Sequence, residues 1–234
     1  MDESQALSIL GFKTPVSVND LKKAYRNLVL KNHPDKNSKY SVQRFVDILD
    51  AYVFLKGLYT QSDPNLENYT KFSLLIKDIF SNWSNSKYTD ALKDLDIIIE
   101  EIPEFLELEY VKAITLIYLE NYDDALKSFE KCLGFKHDIQ FWNNMAFCYS
   151  KLNNHSKILM CCDKILELNP KDPEYWWFNK AVGYYELHHL EQSIKCIDNV
   201  LKIDPNANDA LELRKKAVIE LSKKNSLSDN SNEK

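Results

Sequence analysis

The chain has 234 residues, room for one large domain or two modest ones with an ordinary core. It is 44% hydrophobic and 28% charged, with no run near the ~18 apolar residues of a membrane helix, which excludes a membrane-spanning protein and reads as soluble. A net charge of −5 argues against a dedicated nucleic-acid binder, and only four glycines disfavour sheets with many tight turns, so an all-α fold is expected.

The charge is uneven along the chain. Residues 1–60 carry nine Lys/Arg against six Asp/Glu, and residues 61–234 carry 21 against 29. The basic excess falls largely on one predicted helix, which suits an acidic protein surface better than a duplex. The N-terminus, MDESQALSILGF, begins acidic and lacks the basic and long apolar regions of a signal peptide, so a cytoplasmic location is expected.

Residues 5–11 predict a short helix ended by Gly11, which adopts the left-handed conformation at little cost. After the turn Lys13 to Pro15, Ser17 and Asp20 make a capping-box start for a second helix. Its residues Leu21, Ala24, Tyr25 and Leu28 share one face, while Lys22, Lys23, Arg26 and Lys31 occupy the rest. Pro34 cannot donate a backbone hydrogen bond and biases His33 away from the helical region, so the helix stops near Lys31 or Asn32 and His33, Pro34 and Asp35 begin a loop. A third helix is expected over Val42–Leu58, with Phe45, Ile48, Leu49, Tyr52 and Leu55 on one stripe.

This stretch resembles the J domain of DnaJ-type co-chaperones over residues 5 to about 57. The resemblance rests on the loop His33-Pro34-Asp35, the basic second helix, and the third-helix residues Arg44, Phe45, Ile48, Ala51, Tyr52 and Leu55. It implies that the loop, with Lys22, Lys23, Arg26 and Lys31, docks on a DnaK-type heat-shock chaperone and stimulates its ATPase, the catalysis belonging to the partner. Two departures stand out. Asn32 occupies a position that is often aromatic in the family, and Lys56 to Gln61 precede the Ser62-Asp63-Pro64 that usually follows sooner.

From about Phe72 the chain repeats itself. Ala91, Ala125, Ile158 and Ser193 hold equivalent positions separated by 34, 33 and 35 residues, each followed by apolar residues at helical spacing. Trp142, Met145, Ala146 and Tyr149 are matched by Trp177, Lys180, Ala181 and Tyr184. The pattern resembles the tetratricopeptide repeat. The expected layout is a J domain at 1–70, four repeats at 71–207, a capping helix at 208–224 and a disordered tail at 225–234.

In that register the concave surface carries Tyr110, Tyr118, Asn143, Asn144, Phe147, Tyr175, Phe178, Asn179 and Tyr185, with Ile114 and Val182 among them. Aromatics supply contact area and amides bind backbone, so an extended peptide or a helix of a protein client fits such a groove. Packing of some of these rings between repeats is the competing expectation. The Lys/Asn/Arg clamp with which some relatives grip acidic chaperone C-termini is not found in register.

The five cysteines, between Cys132 and Cys196, show no metal-ligand spacing and read as reduced, packed thiols. No metal, cofactor or catalytic constellation is expected, nor are the zinc-binding repeats or Gly/Phe-rich linker of generalist DnaJ proteins present. The expected function is therefore a co-chaperone that brings a DnaK-type chaperone to one client or complex. The alternative is a scaffold in which the J domain serves as a packing module.

Overall fold

The computed structural model describes residues 1–31, 39–60, 66–101, 106–134 and 138–231. Among the described residues the regular structure is helical: α1 (Glu3–Ile9), α2 (Val18–Lys31), α3 (Lys39–Tyr59), α4 (Leu66–Ser84), α5 (Tyr88–Glu101), α6 (Leu106–Tyr118), α7 (Tyr122–Lys131), α8 (Ile139–Lys151), α9 (His155–Glu167), α10 (Pro173–Glu186), α11 (Leu190–Ile203) and α12 (Asn208–Ser231). A 3-10 turn, Cys132–Gly134, follows α7. The chain forms two compact units, Met1–Asn121 and Tyr122–Lys234.

In the first unit α2 and α3 pack face to face, with α1 against α3. Leu21 and Tyr25 of α2 and Ile48, Leu49, Tyr52 and Leu55 of α3 are buried, and the Tyr25 and Tyr52 rings stack with centroids 4.2 Å apart. The first helix is shifted two residues toward the N-terminus, Glu3–Ile9 where 5–11 was expected, while the capping at Ser17 and the role of Gly11 follow the sequence reading. The Ser17 hydroxyl accepts from the Asp20 amide at 3.1 Å and donates to the Asp20 carboxylate at 2.7 Å. At the end of α1, Gly11 has φ +86°, and the amides of Gly11 and Phe12 reach back to the carbonyls of Ser8 and Leu7.

The third helix starts three residues earlier than expected and ends at Tyr59, which lengthens it at both ends. The following helix α4 runs unbroken through residues 70 and 71, where a domain boundary was expected, and a salt bridge of 3.3 Å joins its Lys77 to Asp50 on α3. The helix α5 packs on α4 and α6 on α5.

In the second unit α7 packs on α8, α8 on α9, α9 on α10, α10 on α11 and α11 on α12. Ala181, Cys196, Ile197, Val200 and Ala210 form its C-terminal core. The last helix departs from the expected layout, since α12 continues to Ser231 through most of the segment read as disordered.

The turns repeat with the sequence. Ser86, Glu120, Asn153 and His188 all have positive φ, between 53° and 58°, and each lies five residues before one of the equivalent positions 91, 125, 158 and 193. At every one the amide of the positive-φ residue and the next amide reach back to close the preceding helix, as in His188 to Tyr185 and His189 to Tyr184. Four such turns made without glycine explain how a solenoid of this kind is compatible with so few glycines.

Candidate functional site

Two surfaces carry the residues singled out by sequence. The first is α2. Lys22, Lys23 and Arg26 are exposed while Leu21 and Tyr25 are buried, so one 14-residue helix presents a packed face and, around it, a cationic one. Lys31 ends this helix. Asn32, His33, Pro34 and Asp35 lie outside the described residues. The third-helix residue Arg44 donates to the carbonyl of Ile9 at 3.4 Å, linking α3 to the end of α1.

One residue near this surface escaped the sequence reading. Glu107, in the first turn of α6, is only 3% exposed. Burial pushes its carboxyl up to about 7, against the lowering influence of the Tyr25 hydroxyl, Arg26 and Lys22. Burial and the neighbouring Glu107 likewise hold the Tyr25 hydroxyl well above its usual value. An acid in a first helical turn ordinarily reads as a partner for the helix dipole, and the sequence holds no sign that this one turns inward.

The second surface lies in the second unit, where α8, α9 and α10 enclose a cleft of about 220 Å³. Of the predicted groove residues, Asn143, Phe147, Tyr175 and Asn179 line it together, as does Val182. Phe147 and Tyr175 are 44% and 57% exposed, an unusual placement for large rings unless something covers them. The Asn179 amide donates to the Tyr175 carbonyl at 3.0 Å, which fixes its side chain and leaves its oxygen lone pairs for another donor. His155, Ile158 and Cys162 of α9 also line the cleft and were missed, because a register built on first helices gives no weight to the second helix beneath them. Gly183 lets α10 lie close on α9: a Cβ there would meet the Leu159 side chain at 3.0 Å.

The remaining predicted groove residues go elsewhere. Tyr110 is completely buried and belongs to the core. Phe178 packs on the Ala181–Ile197–Val200 cluster, and Tyr185 bonds Glu220 of α12. Asn144 accepts from Gln140 at 3.1 Å on its own helix. Tyr118 is 53% exposed but stacks on Tyr88 at 4.6 Å, with Trp83 edge-on at 5.3 Å, in a cluster of the first unit. Hydrophobic spacing marks the apolar side of a helix without saying which flank meets solvent, which is how Tyr110 and Phe178 came to be placed in a groove.

Comparison with known proteins agrees with this geometry. Residues 6–58 match the DnaJ domain and residues 139–172 a tetratricopeptide repeat. The chain carries a DnaJ domain followed by a tetratricopeptide repeat. Its similarity to DnaJ protein ERDJ7 of Oryza sativa subsp. japonica is 45% identity over 61 residues, 26% of this chain and 20% of that protein. DnaJ protein homolog 1 of Drosophila melanogaster is 50% identical over 48 residues, 20% of this chain and 14% of that protein. The N-terminal acetyltransferase B complex subunit NAA25 homolog of Caenorhabditis elegans is 26% identical over 99 residues, 42% of this chain and 10% of that protein. The chain thus spans a fifth or less of these relatives.

Among solved structures, the crystal structure of MamA protein superposes with TM-score 0.50 at 12% identity over 65% of this chain and 88% of that one, a likeness of fold alone. Both matched families are protein-interaction modules without catalysis of their own. Among the described residues no helix is long and apolar enough to cross a membrane.

Proposed function

We propose that this protein is a J-domain co-chaperone that recruits a DnaK-type heat-shock chaperone and stimulates its ATPase, while its repeats hold a specific client or complex. The observation that carries the reading is the exposed cationic face of α2, Lys22, Lys23 and Arg26, inside a matched DnaJ domain and leading into the sequence His33-Pro34-Asp35. The cations steer an acidic partner surface, and the loop supplies the polar contacts that follow encounter. The J domain is taken as residues 1–70, the four repeats as 71–207 and the cap as 208–224. The cleft of α8 to α10, with Asn143, Phe147, Tyr175 and Asn179, is the part of the repeat region best suited to a peptide segment. Binding both partners at once raises the effective concentration of chaperone at the client. Five cysteines buried as packed thiols suit a reducing compartment, and the cytoplasm is proposed as the location.

The test is single-turnover ATP hydrolysis by a purified DnaK-type chaperone with the full chain. Stimulation is expected from the natural protein and its loss from His33→Gln, with circular dichroism unchanged. Equal stimulation by both would overturn the reading, and stimulation by neither would favour a scaffold in which the J domain only packs.

A further inference from the structure

Helix α3 is buried on two opposite faces, and each meets a different partner. On one, Tyr52 stacks on Tyr25 of α2, with the buried Ile48 and Leu55 one turn to either side of Tyr52. Asp50 comes two residues before Tyr52, about 200° round the helix. It is 8% exposed and bonds the Lys77 ammonium of α4 at 3.3 Å. Val46 and Val53 lie one turn to either side of Asp50, and both are 3% exposed. A helix with one packed face would leave these three to water, and the Lys77 bond places α4 over them. The matched DnaJ domain ends at residue 58, so the helix covering this face lies outside it.

The helix α4 likewise has two engaged sides. Phe80, 3% exposed, lies one turn after Lys77 on the side toward α3. Round the helix from there, the Asn82 amide donates to the Asp94 carboxylate of α5 at 3.2 Å, and the Trp83 indole donates to the Thr115 hydroxyl of α6 at 3.2 Å. At the far side of α3, Arg44 reaches the Ile9 carbonyl and the Tyr59 hydroxyl donates to Glu3 at 2.9 Å, which ties α1 to α3 at both its ends.

We infer that α1 to α6 fold and open as one cooperative unit, with α3 as the shared core helix and α4 as the joint between the DnaJ domain and the first repeat helices. Helices α2 and α5 never need to touch for this, since each is fastened to a helix that the α3–α4 contact unites. The inference goes beyond the docking reading and does not depend on it. Joined to that reading, it means that a chaperone on α2 and a protein held by α4 to α6 share one frame, with no hinge at residue 70.

The experiment is hydrogen exchange of the full chain, read by mass spectrometry at a series of low urea concentrations. In the natural protein the slowest amides of α2, α3 and α5 are expected to exchange through the same opening, with one urea slope. Phe80→Ala, on α4, is expected to raise that opening at least about tenfold in α2 and α3, and Leu21→Ala, on α2, to do the same in α5. If Phe80→Ala fails to fold, Lys77→Met removes only the cation from buried Asp50 and is expected to raise opening about three- to tenfold in α2 and α5 alike. Protection lost in α4 and α5 alone, with α2 and α3 exchanging as in the natural protein, overturns the inference. Distinct urea slopes for α2 and α5 in the natural protein overturn it as well.

Discussion

The ammonium of Lys180 on α10 bonds the carboxylate of Asp163 on α9 while lying 5.2 Å from the centroid of the Trp177 ring. The same exchange between a second helix and the first helix after it recurs as Asp96 with Lys112 at 2.5 Å and Asp198 with Arg214 at 2.9 Å. Glu130 holds the equivalent acidic place after Phe129, and the matching basic place is taken by the buried Met145. The Lys180 side chain is only 15% exposed, so this pair is shielded as surface pairs are not. Lys180→Met is expected to cost about 1–2 kcal/mol and lower Tm by a few degrees, while Lys93→Ala, which breaks the exposed pair with Asp90, costs under about 0.5 kcal/mol. Thermal unfolding of both variants checks the contrast.

The left-handed turn residues make a second test. A non-glycine residue at positive φ is strained by about 1 kcal/mol, and glycine removes that strain at some cost in unfolded-state entropy. Glu120 has φ 57° and is exposed, so Glu120→Gly is expected to stabilise by about 0.5–1 kcal/mol. Gly11 is the converse. A Cβ there meets nothing within 4 Å, so the penalty of Gly11→Ala is purely that of φ +86°, about 1 kcal/mol of destabilisation. Denaturant midpoints moving in opposite directions bear this out.

These turns also mark where sequence reading succeeds and where it stops. The repeat period was legible because Ala91, Ala125, Ile158 and Ser193 recur within apolar helices, and local hydrogen-bond rules placed the start of α2 and the end of α1. Ser86, Glu120 and His188 were invisible as turn residues, because none of them has the conformational freedom that identifies glycine. The cationic face of α2 was readable from spacing on a single helix. Glu107 was not, since its environment comes from residues some 80 positions earlier in the chain. The cleft falls between: five of its side chains followed from register, while Tyr110, Phe178 and Tyr185 required knowledge of which neighbour each flank meets.

Glu107 gives a pH dependence with a definite sign. Its folded-state carboxyl, pushed up to about 7 from the model-peptide value of 4.5, binds a proton more tightly than in the unfolded chain. Between these values the native state holds more protons, so this group's contribution is fully present below pH 4.5 and is lost as pH rises to about 7. The loss is on the order of 3 kcal/mol for a group this buried. Glu107→Gln removes the titration. Its stability relative to the natural protein is expected to rise between pH 5 and pH 8, measured by urea unfolding at each pH. A difference that stays constant over that range would rule out the raised value.

The thiols supply the last test. Burial pushes Cys148, Cys161 and Cys162 up to about 12, and only the thiolate reacts. At pH 8 the reactive fraction is on the order of one part in ten thousand, which adds to the barrier of reaching a buried sulfur. The folded protein is therefore expected to react with an aromatic disulfide reagent far more slowly than a free thiol, with all five cysteines reacting at once in concentrated guanidinium. Cys162 also lines the cleft between α8 and α10, which gives it a route to solvent that Cys161 lacks. Mass mapping of the first site modified should find Cys162 ahead of Cys161, its sequence neighbour, which is not part of the cleft lining. A first modification at Cys161 would mean that the helices separate elsewhere before the cleft opens.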